Sequence, residues 1–117
     1  MDETGLIPKL KALGNLNRLR IYDMLMDGVQ CNCEISEQLG LSLSLISHHI
    51  HILMDAGLVK SQRDSSDARW IYYSVDEDGL SQLKATLNRF LDLERIKPRH
   101  PSCGPQSSCS SNSHVDA

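Results

Sequence analysis

No window of this 117-residue chain approaches the roughly 18 consecutive apolar residues that a membrane-spanning helix needs. The opening Met1-Asp2-Glu3-Thr4 lacks the basic start and apolar core of a secretory signal, so the expected compartment is the cytoplasm. In that reducing setting the four cysteines read as ligands or reactive thiols rather than as disulfides. Positive charge is not in excess: 12 Lys and Arg stand against 15 Asp and Glu, for a net charge of −3. A polyanionic partner would therefore have to be met by local clusters, not by the field of the whole molecule. Nucleophile elbow, phosphate-cradling glycine loop and metal-hydrolase spacing are all missing, which leaves an enzyme without support. Internal repeats are missing too. The length suits one domain with a single core, small enough to gain from an oligomer interface.

What is present is helical periodicity. Leu6, Ile7, Leu10 and Leu13 predict a short first helix closed by Gly14-Asn15. Asn17 is the expected N-cap of a second helix, which carries Leu19, Ile21, Leu25 and Met26 as far as Asp27-Gly28. A third helix runs from about Cys33 to Leu39 and stops at Gly40. Ser42 or Ser44 caps a fourth through Ile46, Ile50, Leu53 and Met54, ending at Ala56-Gly57. Residues 58–63 and 69–75 are β-prone around the polar Asp64-Ser65-Ser66-Asp67, a hairpin signature. Asp76 opens a long last helix, with Leu80, Leu83, Leu87, Phe90 and Leu91 on one stripe, lasting to about Lys97. The expected fold is mainly α with a β-hairpin (α+β). The expected division is a domain over residues 1–97 and a flexible, Cys-containing tail over 98–117, rich in Ser, Pro and His.

A short helix, a glycine-containing turn, a longer serine-rich helix and a hairpin together describe a winged helix-turn-helix. The second helix of such a pair enters the major groove of duplex DNA with its N-terminal residues nearest the base edges. Ser42, Ser44, Ser47 and His48 are accordingly the candidates for base and phosphate contacts. Arg63 and Arg69 flank the hairpin tip, where they can meet phosphate or an adjacent minor groove. His49 and His51 are read as packing or solvent residues. A protein-interaction module built from the same elements would show no salt-sensitive binding to duplex DNA.

Cys31-Asn32-Cys33 stands at the front of the third helix, immediately before Glu34-Ile35. Thiolates there can couple a soft metal or metalloid to the grip on DNA. Residues i and i+2 lie about 200° apart around an α-helix, so both sulfurs cannot meet one ion from a regular helix. Cys31 must lie in the preceding loop, or ligation must unwind the first turn. Alone, such a pair would read as small buried hydrophobes. The other cysteines, Cys103 and Cys109, fall in the tail. From Pro98, Cys103 can reach roughly 17 Å and Cys109 about 35–40 Å when extended. The shorter tether favours Cys103, since longer loops cost more closure entropy.

The run Asn17-Arg18-Leu19-Arg20-Ile21, then Cys31-Asn32-Cys33-Glu34-Ile35, Ser47-His48-His49-Ile50-His51-Ile52-Leu53 and Ala56-Gly57-Leu58-Val59 resembles the ArsR/SmtB family over about residues 6–96. Arg69-Trp70-Ile71-Tyr72-Tyr73 is similar to that family's wing. The resemblance implies a homodimeric repressor, dimerising through its first and last helices, that leaves operator DNA when an inducer binds. The family's zinc pattern places two His and two carboxylates on the last helix. Here Asp76 matches one carboxylate, but Asp78 and Arg89 stand at the His positions, which disfavours zinc. The arsenic-sensing members carry a Cys-x-Cys that Cys31 and Cys33 match, and some add a third Cys where this chain has Ser36. The resemblance thus implies arsenite or antimonite as inducer, with Cys31, Cys33 and a further thiolate from Cys103 or Cys109 as the metalloid ligands. Cadmium or lead on all four thiols, and a redox switch of the cysteine pair, are the alternatives. The second is disfavoured by the strain of a bridge between cysteines so close in sequence.

Overall fold

The computed structural model describes residues 3–98, 101, 102 and 104. Its elements run α1 (Glu3–Leu13), α2 (Leu16–Met26), β1 (Gln30–Cys31), α3 (Asn32–Leu39), α4 (Leu43–Asp55), β2 (Val59–Arg63), β3 (Ile71–Val75), α5 (Glu77–Phe90) and a 3-10 turn at Leu93–Arg95. The winged helix-turn-helix expected from the sequence is present: α3 and α4 form the pair, and β2 and β3 the wing. Among the described residues no helix is long and apolar enough to cross a membrane.

Local chemistry sets most boundaries. Ser42 caps α4, its hydroxyl accepting from the Leu45 N–H at 3.1 Å. Asp76 caps α5 by accepting from the Gly79 N–H at 3.2 Å. α3 ends at Gly40 in the left-handed region. Ser36 Oγ donates to the Leu41 carbonyl and locks the α3–α4 turn, so the hydroxyl at this position has a structural task.

Three features depart from the sequence expectation. Asn15, not Asn17, caps α2: its backbone is extended, and its Oδ1 accepts from the N–H groups of Asn17 and Arg18 at 3.0 and 3.2 Å. The last helix stops at Phe90 rather than near Lys97. There Arg95 Nη1 donates to the carbonyls of Arg89 and Phe90, taking the acceptors a continuing helix would use, while Asp92 caps the following 3-10 turn. The third departure is β1, two residues long. It pairs antiparallel with β3 through Gln30↔Tyr73 and Cys31↔Tyr72, giving a sheet of order β1-β3-β2. The wing itself is in register from Val59↔Val75 to Arg63↔Ile71.

Ile21, Ile35, Ile46, Ile50, Leu53 and Leu58 are fully buried at the centre, drawn from α2, α3, α4 and the turn before the wing. On α4 the buried residues Ile46, His49, Ile50 and Leu53 recur at the spacing of one helical face. His49 is thus a core residue, 6% exposed. Arg18 joins it to α1: Arg18 Nη1 lies 3.3 Å from His49 Nδ1, and Arg18 Nε donates to the Ala12 carbonyl at 2.7 Å. Burial, then the Arg18 charge, then His48 hold the His49 imidazole below its usual titration range.

A second constraint is steric. Any Cβ on Gly79 would stand 1.8 Å from the Gly57 carbonyl oxygen, so the first turn of α5 lies directly on the turn leaving α4. Gly57 itself has φ +77, and the Asp76 N–H donates to the Leu58 carbonyl at 2.8 Å beside this contact.

Gly79→Ala is expected to lower the thermal midpoint by about 5 °C or more, since overpacking against backbone cannot be relieved by a rotamer change. Circular dichroism melts at matched protein concentration, with Ser81→Ala on the exposed side of α5 as control, check this. A pH effect is expected at His49. Its pKa is depressed in the folded state, so below the ordinary value of 6.5 the unfolded chain binds more protons. Stability contributed by the neutral ring is complete above pH 6.5 and is lost as pH falls through the depressed value. His49→Gln, which keeps an uncharged acceptor for Arg18, should flatten that part of a urea-denaturation profile; an unchanged slope would refute the assignment.

Candidate nucleic-acid interface and thiol site

The burial of one face of α4 leaves the opposite stripe outward. Ser44, Ser47, His48 and His51 follow the spacing i, i+3, i+4, i+7 on that side. Ser44, His48 and His51 are exposed, and Ser47 is half-buried. Ser42 is exposed at the helix start with its oxygen engaged in the cap. The helix therefore presents short polar side chains over its first turns, the size and chemistry that fit base edges in a major groove. His48 and His49 rings are 5.7 Å apart and tilted, one outward and one in the core.

The wing tip is organised by its own hydrogen bonds. The Asp64 carboxylate accepts from the N–H groups of Ser66 and Asp67, each at 2.9 Å, and from the Ser66 hydroxyl. The Ser66 hydroxyl and then those amides hold the Asp64 carboxyl below the usual carboxylate range. Arg63 Nη1 donates to the Ala68 carbonyl at 2.7 Å. Arg69 makes a two-pronged contact with Asp67, Nε to Oδ1 at 3.0 Å and Nη2 to Oδ2 at 2.8 Å. That pairing lowers the Asp67 pKa and raises that of Arg69. The Arg69 side chain remains 88% exposed, so the pair orients the guanidinium without hiding it. Two carboxylates beside two arginines make the tip locally balanced rather than basic.

The thiols sit at the junction of sheet and helix. Cys31 is both the last residue of β1 and the N-cap of α3, with extended backbone at φ −102 and ψ 168. Glu34 completes a capping box: its carboxylate accepts from the Cys31 N–H at 2.8 Å, while the Cys31 side chain takes the place of a serine hydroxyl toward the Glu34 amide. Cys33 is one residue inside the helix and exposed; Cys31 is half-exposed. The expectation that Cys31 precedes the regular helix is met. Among the described residues no group of three or more His, Cys, Asp or Glu is placed to hold a metal ion. Cys103 and Cys109 lie outside the described residues.

Sequence reading passed over Asn32. Its Nδ2 donates to Ser47 Oγ at 3.2 Å, a direct bond from between the two cysteines to the outer stripe of α4. An asparagine next to a helix start signals only capping in one dimension; its reach to residue 47 exists only in the fold.

Residues 15–61, from the α2 cap into the wing, match the sequence pattern of the bacterial regulatory protein, arsR family. The chain is 37% identical over 79 residues to an arsenical resistance operon repressor of Staphylococcus aureus, an alignment covering 68% of this chain and 73% of that protein. It is 30% identical over 74 residues to a cadmium resistance transcriptional regulatory protein homologue of the same species, covering 62% and 59%. A crystal structure of a possible transcriptional regulator for arsenical resistance matches with a TM-score of 0.64 at 32% identity, over 74% of this chain and 86% of that one. With the helix pair, the wing and these similarities together, the chain belongs to the ArsR/SmtB family of winged helix-turn-helix transcriptional regulators.

Proposed function

We propose that this regulator is a cytoplasmic, homodimeric repressor that binds double-stranded operator DNA and is released by trivalent arsenic or antimony held on cysteine thiolates. The observation that carries the reading is the placement of Cys31 on an extended N-cap and Cys33 just inside α3, two accessible thiols at the helix that packs on α4. Cys103 or Cys109 supplies the third sulfur of a pyramidal arsenite site. Similarity to an arsenical resistance operon repressor supports the inducer class.

Ser42, Ser44, Ser47 and His48 read or position the major groove, and Arg63 and Arg69 meet phosphate beside it. Ile7 and Leu10 on α1, with Leu91, Leu93 and Ile96 after α5, remain exposed on one chain. A second copy covers such apolar surface in a dimer built on the first and last helices. The domain proper is residues 1–97, with 98–117 serving as a ligand-bearing tail. A second reading, cadmium or lead on four thiolates, is favoured by the similarity to a cadmium resistance regulator and by the softness of sulfur donors. It requires both tail cysteines, whereas arsenite requires one.

Fluorescence anisotropy of the reduced protein on its own upstream duplex, titrated with arsenite, tests the reading: release at near-stoichiometric arsenite is expected. Affinity that arsenite leaves untouched while cadmium lowers it would transfer the reading to the four-thiolate site. Cys31→Ser and Cys33→Ser should each retain DNA affinity within about threefold and lose the response, whereas loss of DNA binding without inducer would contradict a ligand-only role. Truncation after Pro98 should spare the fold and remove the arsenite response; a truncated protein that still responds excludes the tail sulfurs. Arg69→Ala should weaken binding to all duplexes and lower the salt slope by about one per chain, and a loss confined to one sequence would make Arg69 a base reader.

A further inference from the structure

Asn32 separates the two cysteines, and its side chain reaches the α3–α4 junction. Cys33 is exposed and Cys31, like Asn32 as a whole, is half-exposed, but the Asn32 amide oxygen is buried. There Nδ2 bonds to Ser47 Oγ, and Oδ1 is buried without a donor. Exchanging the two ends of the amide would keep the bond to the hydroxyl and again leave one polar atom unpaired. An apolar side chain would fill the same helix–helix contact without that penalty. Ser47 stands on the outer stripe of α4 between Ser44 and His48. The bond therefore joins the thiol-bearing turn to the DNA-facing surface with no intermediary.

We infer that Asn32 is the positioning residue through which ligation at Cys31 and Cys33 reaches the recognition helix, by way of its hydrogen bond to Ser47; the inference rests on the thiolate reading above. Cys31 has extended backbone and Cys33 lies in the first helical turn. Drawing two such sulfurs onto one ion turns the peptide units between them, and that turn is centred on residue 32. It withdraws the amide from Ser47, and the N-terminal half of α4 loses a contact that registers it against α3. No second hydrogen bond anchors the side chain, since Oδ1 has no donor to hold it in place. Each protomer of a dimer carries one such link, so both recognition helices lose register together.

The test uses the reduced full-length protein and the ratio of DNA affinities with and without arsenite. Asn32→Ala should still bind arsenite, seen as sulfur-to-arsenic ultraviolet absorption, yet its affinity ratio should shrink by about tenfold. Ser47→Ala should do the same, the double variant should do no more than either single, and Ser47→Thr, which keeps the hydroxyl, should restore the ratio. As a readout independent of DNA, arsenite should move the backbone amide resonance of Ser47 in the unsubstituted protein and not in Asn32→Ala. Additive effects, or variants released like the unsubstituted protein, would overturn the link while leaving the repressor reading in place. An unsubstituted protein indifferent to arsenite would remove the reading on which the link rests. Should Asn32→Ala fail to fold, the Ser47→Ala and Ser47→Thr pair and the Ser47 resonance decide the matter, and a resonance that stays put on arsenite addition refutes the proposal.

Discussion

Gly57 and Gly79 touch backbone to backbone, and the arrangement of both DNA-facing elements follows from that contact. The turn leaving α4 is pressed under the first turn of α5, with room for hydrogen alone at residue 79. Leu58 and Val59, buried immediately after, start the wing from that fixed point, and the Asp76–Leu58 backbone bond closes the loop between wing and last helix. The end of the recognition helix, the base of the wing and the start of α5 are thereby one junction. The angle between α4 and the wing is set there, by sterics against backbone that no side-chain rotamer can relax.

Besides the core packing of Ile46 and the Ser36–Leu41 bond, the start of the recognition helix meets softer contacts. Residues 30–33 carry β1, the α3 cap and, among the described residues, both thiols in four positions. On one side, Cys31 pairs with Tyr72 in the central strand of the sheet. On the other, Asn32 reaches Ser47 on α4. A two-residue strand and a single side-chain hydrogen bond are weak compared with the packed core around Ile35, Ile46 and Ile50. A ligand that reshaped this short segment, as proposed, would work on the contacts least costly to change, while the core and the glycine junction kept the rest of the domain intact. Such a switch would call for coupling of the order of 1–3 kcal/mol, a scale that one or two such contacts can carry.

Much of the architecture was legible because its signals are local. Glycine at 40, the Ser42 cap, the Asp76 cap and the apolar spacing of α4 each act within a few residues of where they stand. The outward stripe of Ser44, Ser47 and His48 followed from the same periodicity that buried Ile46 and Ile50. Where the reading slipped, a competing local group won. Asn15 and Asn17 are both competent caps, and the extended backbone at 15 decided between them. The apolar stripe of α5 runs on past Phe90, but Arg95 folds back onto the last carbonyls and ends the helix earlier than periodicity suggests.

Sequence alone determined the winged helix-turn-helix, the family likeness, the thiol pair and the condition that a shared ion needs either Cys31 ahead of the regular helix or an unwound first turn, because periodicity, capping and covalent geometry operate over one to four residues. Only the tertiary structure decided that Cys31 is pinned to the wing's inner strand, that His49 is a core residue bonded to Arg18, and that Asn32 grips Ser47. Those pairings join residues 15 to 41 positions apart. Such contacts form when packed elements meet, and nothing in the local chemistry of either partner names the other.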